Sequence, residues 1–212
     1  MTENGVQTRR SHAERRAETI ALIVDAAIDA ITELGLRNAT TGEICRRAGV
    51  SPGAMFHYFE TRQDVIVAAV EHLLQQRLAR FTAYLDSVQT SDHPADPRAV
   101  LRLLRRVSRE PRSMVWLEVL METRTDADLR VRMTPLLNTQ RDMFWATAEL
   151  HPGLQSMPEM ARHAWLELLR NVMHGESIFE TIEPHHDLDE PKLDALLALA
   201  LDLGATRPPQ GS

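Results

Sequence analysis

A chain of 212 residues with 43% hydrophobic and 25% charged side chains has the make-up of an ordinary globular protein, with room for one sizeable core or two modest domains sharing a long helix. No window holds the uninterrupted apolar run that a bilayer span requires, so a membrane protein is not expected. The net charge of −6 argues against indiscriminate coating of nucleic acid, which relies on excess Lys and Arg, but it leaves room for a local basic surface.

The first residues, Met1 to Ala17, are polar and Arg-rich without a secretory apolar region, so a cytoplasmic location is expected. Arg9, Arg10, Arg15 and Arg16, with His12 among them, read either as a solvated tail or as a DNA-contacting arm. A single cysteine, Cys45, cannot form an intramolecular disulfide or a thiolate zinc cage, which fits reducing surroundings. Spacings of three and four recur throughout and strand-like alternation is nearly absent, so the fold class expected is all-α.

Ile20, Val24, Ala27, Ile28, Ile31 and Leu34 mark one face of a helix from about Ser11 to Leu34, stopped by Gly35. Thr40 and Glu43 have capping-box spacing: the hydroxyl would accept from the Glu43 amide and the carboxylate would return to the Thr40 amide. That helix can reach only to Ala48, because Gly49 offers a left-handed turn, Ser51 caps again and Pro52 suits a first helical position. The next helix is expected from Pro52 to Tyr58. Thr61 then caps a long helix carrying Ile66, Val70, Leu73, Leu74, Phe81 and Leu85, which the loop from Thr90 to Pro97 closes. Further helices are expected at roughly 97–109, 111–124, 126–150, 158–181 and 189–203, with Pro135 kinking or breaking the third of these.

The two short helices cannot survive alone, so the first helix and the long one must hold them. Such a platform with a Gly-containing turn projects the N-terminal half of its second helix into a major groove. Gly53 and Ala54 allow close backbone approach there, while His57, Tyr58 and Arg62 carry donors suited to phosphates. The run from Leu34-Gly35 through Thr40 and Ile44, then Ala48-Gly49-Val50-Ser51-Pro52-Gly53 and Phe56-His57-Tyr58-Phe59 with Arg62, resembles the DNA-binding signature of the TetR family.

The resemblance implies that Thr40, Ser51, Gly53, Ala54, Phe56, His57, Tyr58 and Arg62 occupy the family's DNA-contacting positions. Phe56 stands where the family usually has tyrosine, Ala54 where it has threonine, and Arg62 where it has lysine; arginine keeps the charge and adds a fork. Phe59 is expected to pack in the core, while Phe56 is open between core and interface. Cys45 takes a small apolar position and reads as a buried inert thiol. The family organisation implied is an N-terminal arm and helix-turn-helix domain over residues 1–62 and a helical ligand-binding and dimerisation domain over residues 63–212. The implied partners are double-stranded operator DNA, a small-molecule effector and a second copy in a homodimer.

For that dimer the candidates are Trp165, Leu168, Leu169, Val172 and Met173, with Leu196, Leu197 and Ala200 from a last helix that is apolar nearly all round. Candidate ligand walls are Trp116, Met121, Met133, Phe144 and Trp145, although Met and Trp at helical spacing are also ordinary core residues. Arg98, Arg102, Arg105, Arg106 and Arg109 read as a solvated face. Glu183-Pro184-His185-His186-Asp187 lacks the second copy a bundle di-metal site needs, so neither metal nor cofactor is expected. A helical enzyme using His151, His163 or His174 is the rival reading, without a nucleophile elbow or phosphate loop to support it. A scaffold that has lost operator binding is the other.

Overall fold

The computed structural model describes residues 12–89, 96–149 and 152–205. Arg9, Arg10, His151 and most of the 90–97 loop lie outside the described residues. Among those described, every regular element is helical, as the spacing required. The chain divides into two compact units, Met1–Val70 and Glu71–Ser212.

In the first unit α1 (His12–Leu34) buries Ile23, Val24, Ala27, Ile28 and Ile31, and Gly35 ends it at φ 79°, a conformation that favours glycine. Next, α2 (Thr41–Ala48) packs on α1. The Thr40 hydroxyl accepts from the Glu43 amide at 3.3 Å, but the reciprocal half of the expected capping box is absent. Instead the Thr40 amide donates to Asn38 O at 2.8 Å, and the Glu43 carboxylate takes Arg46 and Arg47. Two guanidinium groups, one of them forked, outcompete one amide for a carboxylate. Gly49 closes α2 at φ 68°.

The third helix, α3 (Pro52–Phe56), is shorter than expected, although the backbone turn continues through Tyr58 N–H to Met55 O at 3.0 Å. Ser51 Oγ caps it by accepting from the Ala54 amide at 3.1 Å. Met55 is fully buried, worth about 1.5–3 kcal/mol, and its Sδ meets Cys45 Sγ at 3.6 Å. The long helix α4 (Arg62–Gln89) starts at a reciprocal box: Thr61 N–H donates to Asp64 Oδ2 at 2.7 Å, and Asp64 N–H to Thr61 Oγ1 at 3.2 Å.

The second unit holds the rest of α4 with α5 (Pro97–Ser108), α6 (Ser113–Glu122), α7 (Ala127–Glu149), α8 (Pro152–Gln155), α9 (Glu159–Glu180), a 3-10 turn at His186–Leu188 and α10 (Asp189–Ala205). Pro135 sits within α7 without ending it. The core between α5, α9 and α10 contains Leu101, Trp165, Leu166, Leu169, Met173, Leu193 and Leu196. Trp165 Nε1 donates to Leu196 O at 3.1 Å, so its one polar atom is satisfied inside that core.

The arginine face of α5 is solvated only in part: Arg102 and Arg106 are exposed, but acids of α9 and α10 pair with most of it. Arg105 is buried against Glu176 of α9, Nε to Oε2 at 2.8 Å, and donates to Asp189 O. Arg109 forks onto Asp189 at 2.6 and 2.7 Å. Arg102 forks onto Glu190, and Arg98 reaches Glu190 and Asp194. These pairs tie α5 to the two C-terminal helices with directional bonds that apolar packing cannot supply.

Candidate functional site

The sharpest feature of the first unit is how α3 is held. Met55 alone in that helix is buried, whereas Ser51, Pro52, Gly53, Phe56 and His57 are exposed and Ala54 is half-buried. Phe56, 47% exposed, therefore presents its ring outward rather than to the core; Phe59 is half-buried. The first turn of α3 is nearly saturated. Pro52 has no N–H, the Ala54 amide goes to Ser51 Oγ, and the Met55 amide goes to Ser51 O at 3.0 Å. Gly53 N–H finds no acceptor among the described residues, which leaves it available to an outside oxygen.

Glycine at 53 is not demanded by the fold. A Cβ there would meet nothing closer than Ser51 Oγ at 3.9 Å, and its φ is not positive. Thr40 and Ser51 use their hydroxyl oxygens as acceptors in caps, so each keeps an O–H able to donate outward. His57 and Tyr58 meet edge to face at 5.1 Å, and Arg16 of α1 lies 5.8 Å from the Tyr58 ring centre. Arg15, Arg16 and Arg37 are exposed and form no ion pair with a described residue. Arg37, in the α1–α2 link, escaped the motif reading because it lies outside the two short helices.

Arg62 behaves differently from a surface phosphate ligand. Its Nε donates to Ala39 O at 2.8 Å and its Nη2 to Leu36 O, so it clasps the link between α1 and α2 from the start of α4. Arg47 acts alongside it, reaching Glu33 of α1 at 2.8 Å as well as Glu43. Bonding to Arg46 and Arg47 holds the Glu43 carboxyl down at about 2. Burial pushes the Cys45 thiol up, away from the reactive thiolate.

Described residues of the second unit enclose cavities of about 250 and 370 Å3. Both are lined by Phe81, Leu104, Phe144 and Leu169. Among the ligand candidates only Phe144 reaches either lining. Trp116 and Met133 are buried elsewhere, and Met121 is 64% exposed. Trp145 stacks on His163 at 4.1 Å beneath Arg141. Sequence reasoning missed the polar part of the smaller cavity, where Arg77, Gln140, Arg170 and His174 lie. Their spacing along three helices carries no motif.

Of the dimer candidates, Trp165, Leu169, Met173 and Leu196 lie in the protomer's own core, with Val172, Leu197 and Ala200 packed partly against it. Leu168 is 49% exposed. The outward face of α9 runs instead through Ala164, Leu168, Asn171, Gly175 and Ile178, one stripe at helical spacing, with exposed Ile182 in the turn just past its end. A Cβ on Gly175 would meet nothing within 4 Å.

No described helix is long and apolar enough to cross a membrane. Residues 23–69 match the family model described as bacterial regulatory proteins, tetR family. An HTH-type transcriptional regulator of Mycobacterium bovis is 33% identical over 190 residues, covering 90% of this chain and 96% of that protein. A TetR-family regulator from Mesorhizobium loti has a similar fold, with TM-score 0.67 at 14% identity over 89% of this chain and 97% of its own. So does FadR of Bacillus subtilis in complex with stearoyl-CoA, with TM-score 0.60 at 16% identity over 89% and 99%. A full-length relative at this identity, together with the helix-turn-helix built around Met55, places the chain in the TetR family of DNA-binding transcriptional regulators.

Proposed function

We propose that this regulator is a repressor that binds a palindromic operator as a homodimer and is released by a small molecule held in the second unit. The observation that carries the reading is α3 itself: anchored through Met55, open on its other sides, and carrying an unmatched Gly53 amide. Thr40, Ser51, Gly53, Ala54, His57 and Tyr58 would make the backbone contacts, with Phe56 stacking against sugar or a thymine methyl. Arg62 would act by positioning the α1–α2 link.

The exposed stripe on α9 supports self-association, since Leu168 and Ile178, with Ile182 just past the helix end, are exposed apolar residues and Gly175 admits a close helix. Two-fold pairing would space the recognition helices about 34–36 Å apart, one turn of B-DNA. The cavities support an effector site, and the Bacillus subtilis neighbour is a regulator of this fold with a small molecule bound. Because α4 runs unbroken from Arg62 past Phe81, a shift at the cavity wall would be transmitted along one helix.

Selection from a randomised duplex pool tests the reading. Enrichment of a palindrome with half-sites about 10 base pairs apart is expected, with affinity falling as salt rises. A scaffold that has lost operator binding would enrich no sequence, and that result would end the proposal.

A further inference from the structure

The smaller cavity is apolar over most of its wall, from Leu74, Leu78, Phe81, Leu104 and Phe144, yet one side carries Arg77. Arg77 makes no hydrogen bond or ion pair among the described residues. Its neighbour Arg80, by contrast, is matched by Glu110 through two bonds of 2.6 and 2.7 Å. Burial is the main influence on Arg77, and Glu110 acts on it only from a distance. A guanidinium does not shed its proton, so a largely buried one without a counter-ion is costly to keep.

The same wall holds two further unmatched atoms, Gln140 Oε1 and Arg170 Nε. His174, beside them, is pushed down to about 4 by burial and then by Arg77 and Arg170, so it sits neutral. The single acidic residue of the lining, Glu71, is exposed. The interior thus carries a positive charge at Arg77 that no buried carboxylate of the lining offsets, with Gln140 Oε1 an unmatched acceptor on the same wall. One free fork suits one singly charged planar group.

We propose that this cavity binds an amphipathic organic monoanion, its carboxylate seated on Arg77 and its apolar chain running along Phe81, Leu104 and Phe144. The proposal rests on the reading of the second unit as a ligand sensor and names the class of ligand. Phe81, Leu104, Phe144 and Leu169 also line the larger cavity, so a longer chain meets continuous apolar surface.

Three probes with one chain length, octanoate, octanol and octylamine, decide it by calorimetry on the full-length protein. Octanoate binds about tenfold more tightly than octanol, and octylamine most weakly. Arg77→Gln brings octanoate to within about threefold of octanol without changing octanol binding. Arg77→Met, without ligand, melts no lower than the parent and by roughly 2–4 °C higher, because an uncompensated charge has been removed.

Binding of octanol or octylamine as tightly as octanoate, failure of all three to bind, or octanoate affinity unaltered in Arg77→Gln overturns the assignment. So does a lower melting point of Arg77→Met, which would mark the guanidinium as structural. Operator release separates the two readings. Octanoate that binds through Arg77 yet leaves DNA affinity unchanged defeats the release mechanism alone; release by octanol or octylamine but not octanoate defeats the anion assignment alone.

Discussion

Replacing Gly53 with alanine separates what the fold asks of this position from what a DNA backbone asks. The new methyl would lie no closer than 3.9 Å to Ser51 Oγ, an ordinary contact, in a backbone conformation open to any residue. At such a site alanine restricts the unfolded chain and stabilises by about 0.4–1 kcal/mol. For a chain of this size the melting temperature should rise by roughly 1–4 °C. On the outer side of α3 the same methyl would stand where a phosphate approaches the Gly53 amide. Loss of that bond costs about 1–2 kcal/mol, or roughly 5- to 30-fold in DNA affinity. Thermal unfolding followed by circular dichroism, and anisotropy of a labelled duplex at fixed salt, read the two effects separately. Gly49→Ala is the counterpart: at φ 68° it should cost about 1–2 kcal/mol of stability. If Gly53→Ala destabilised the protein, or stabilised it while DNA binding held, the argument for a closely approached α3 would be wrong.

Removing Arg105 should be far more damaging than its surface neighbours suggest. Arg105→Ala leaves Glu176 buried with only Lys192 at 3.6 Å and Arg109 at 3.8 Å, and should cost about 3 kcal/mol in denaturant unfolding. Replacing both Arg105 and Glu176 by leucine should recover much of that loss; a double variant as unstable as the single one would refute the account. His174, held near 4 when folded against an ordinary 6.5, binds fewer protons in the folded than in the unfolded chain between those values. Its contribution is therefore present above about pH 6.5 and lost as pH falls towards 4, on the order of 2 kcal/mol given its partial solvent access. His174→Leu should flatten the stability profile across that window, and an unchanged slope would contradict the assignment. Gly175→Leu, with open space around its Cβ, should leave the protomer folded and weaken self-association in sedimentation; an unaltered dimer would place the interface elsewhere.

The chain announced its local structure well because caps and turns depend on near neighbours. Thr40, Gly49, Ser51, Pro52 and Thr61 each mark a boundary that the backbone observes to within a residue or two. Reasoning failed where two neighbours compete for one group, or where the deciding group lies far along the chain. Glu43 has capping spacing, but Arg46 and Arg47 claim its carboxylate. Arg62 has the charge for a phosphate, yet it clasps carbonyls more than 20 residues earlier, at Ala39 and Leu36. The α5 arginines look solvated until α9 and α10 bring acids from more than 70 residues away. On α9 the candidates Trp165, Leu168, Leu169, Val172 and Met173 read as one side, and only the packed core shows that Trp165 turns inward and Leu168 outward. The cavity wall is similar: Arg77, Gln140 and His174 come from α4, α7 and α9, and nothing in their spacing links them.

The proposed recognition helix, moored through one methionine, has an evolutionary corollary. Because Met55 meets Cys45 inside while its helical neighbours face away, those neighbours can mutate with little penalty to folding. Lineages carrying this scaffold can therefore drift to new target sequences quickly, retaining the mooring and rewriting the text around it.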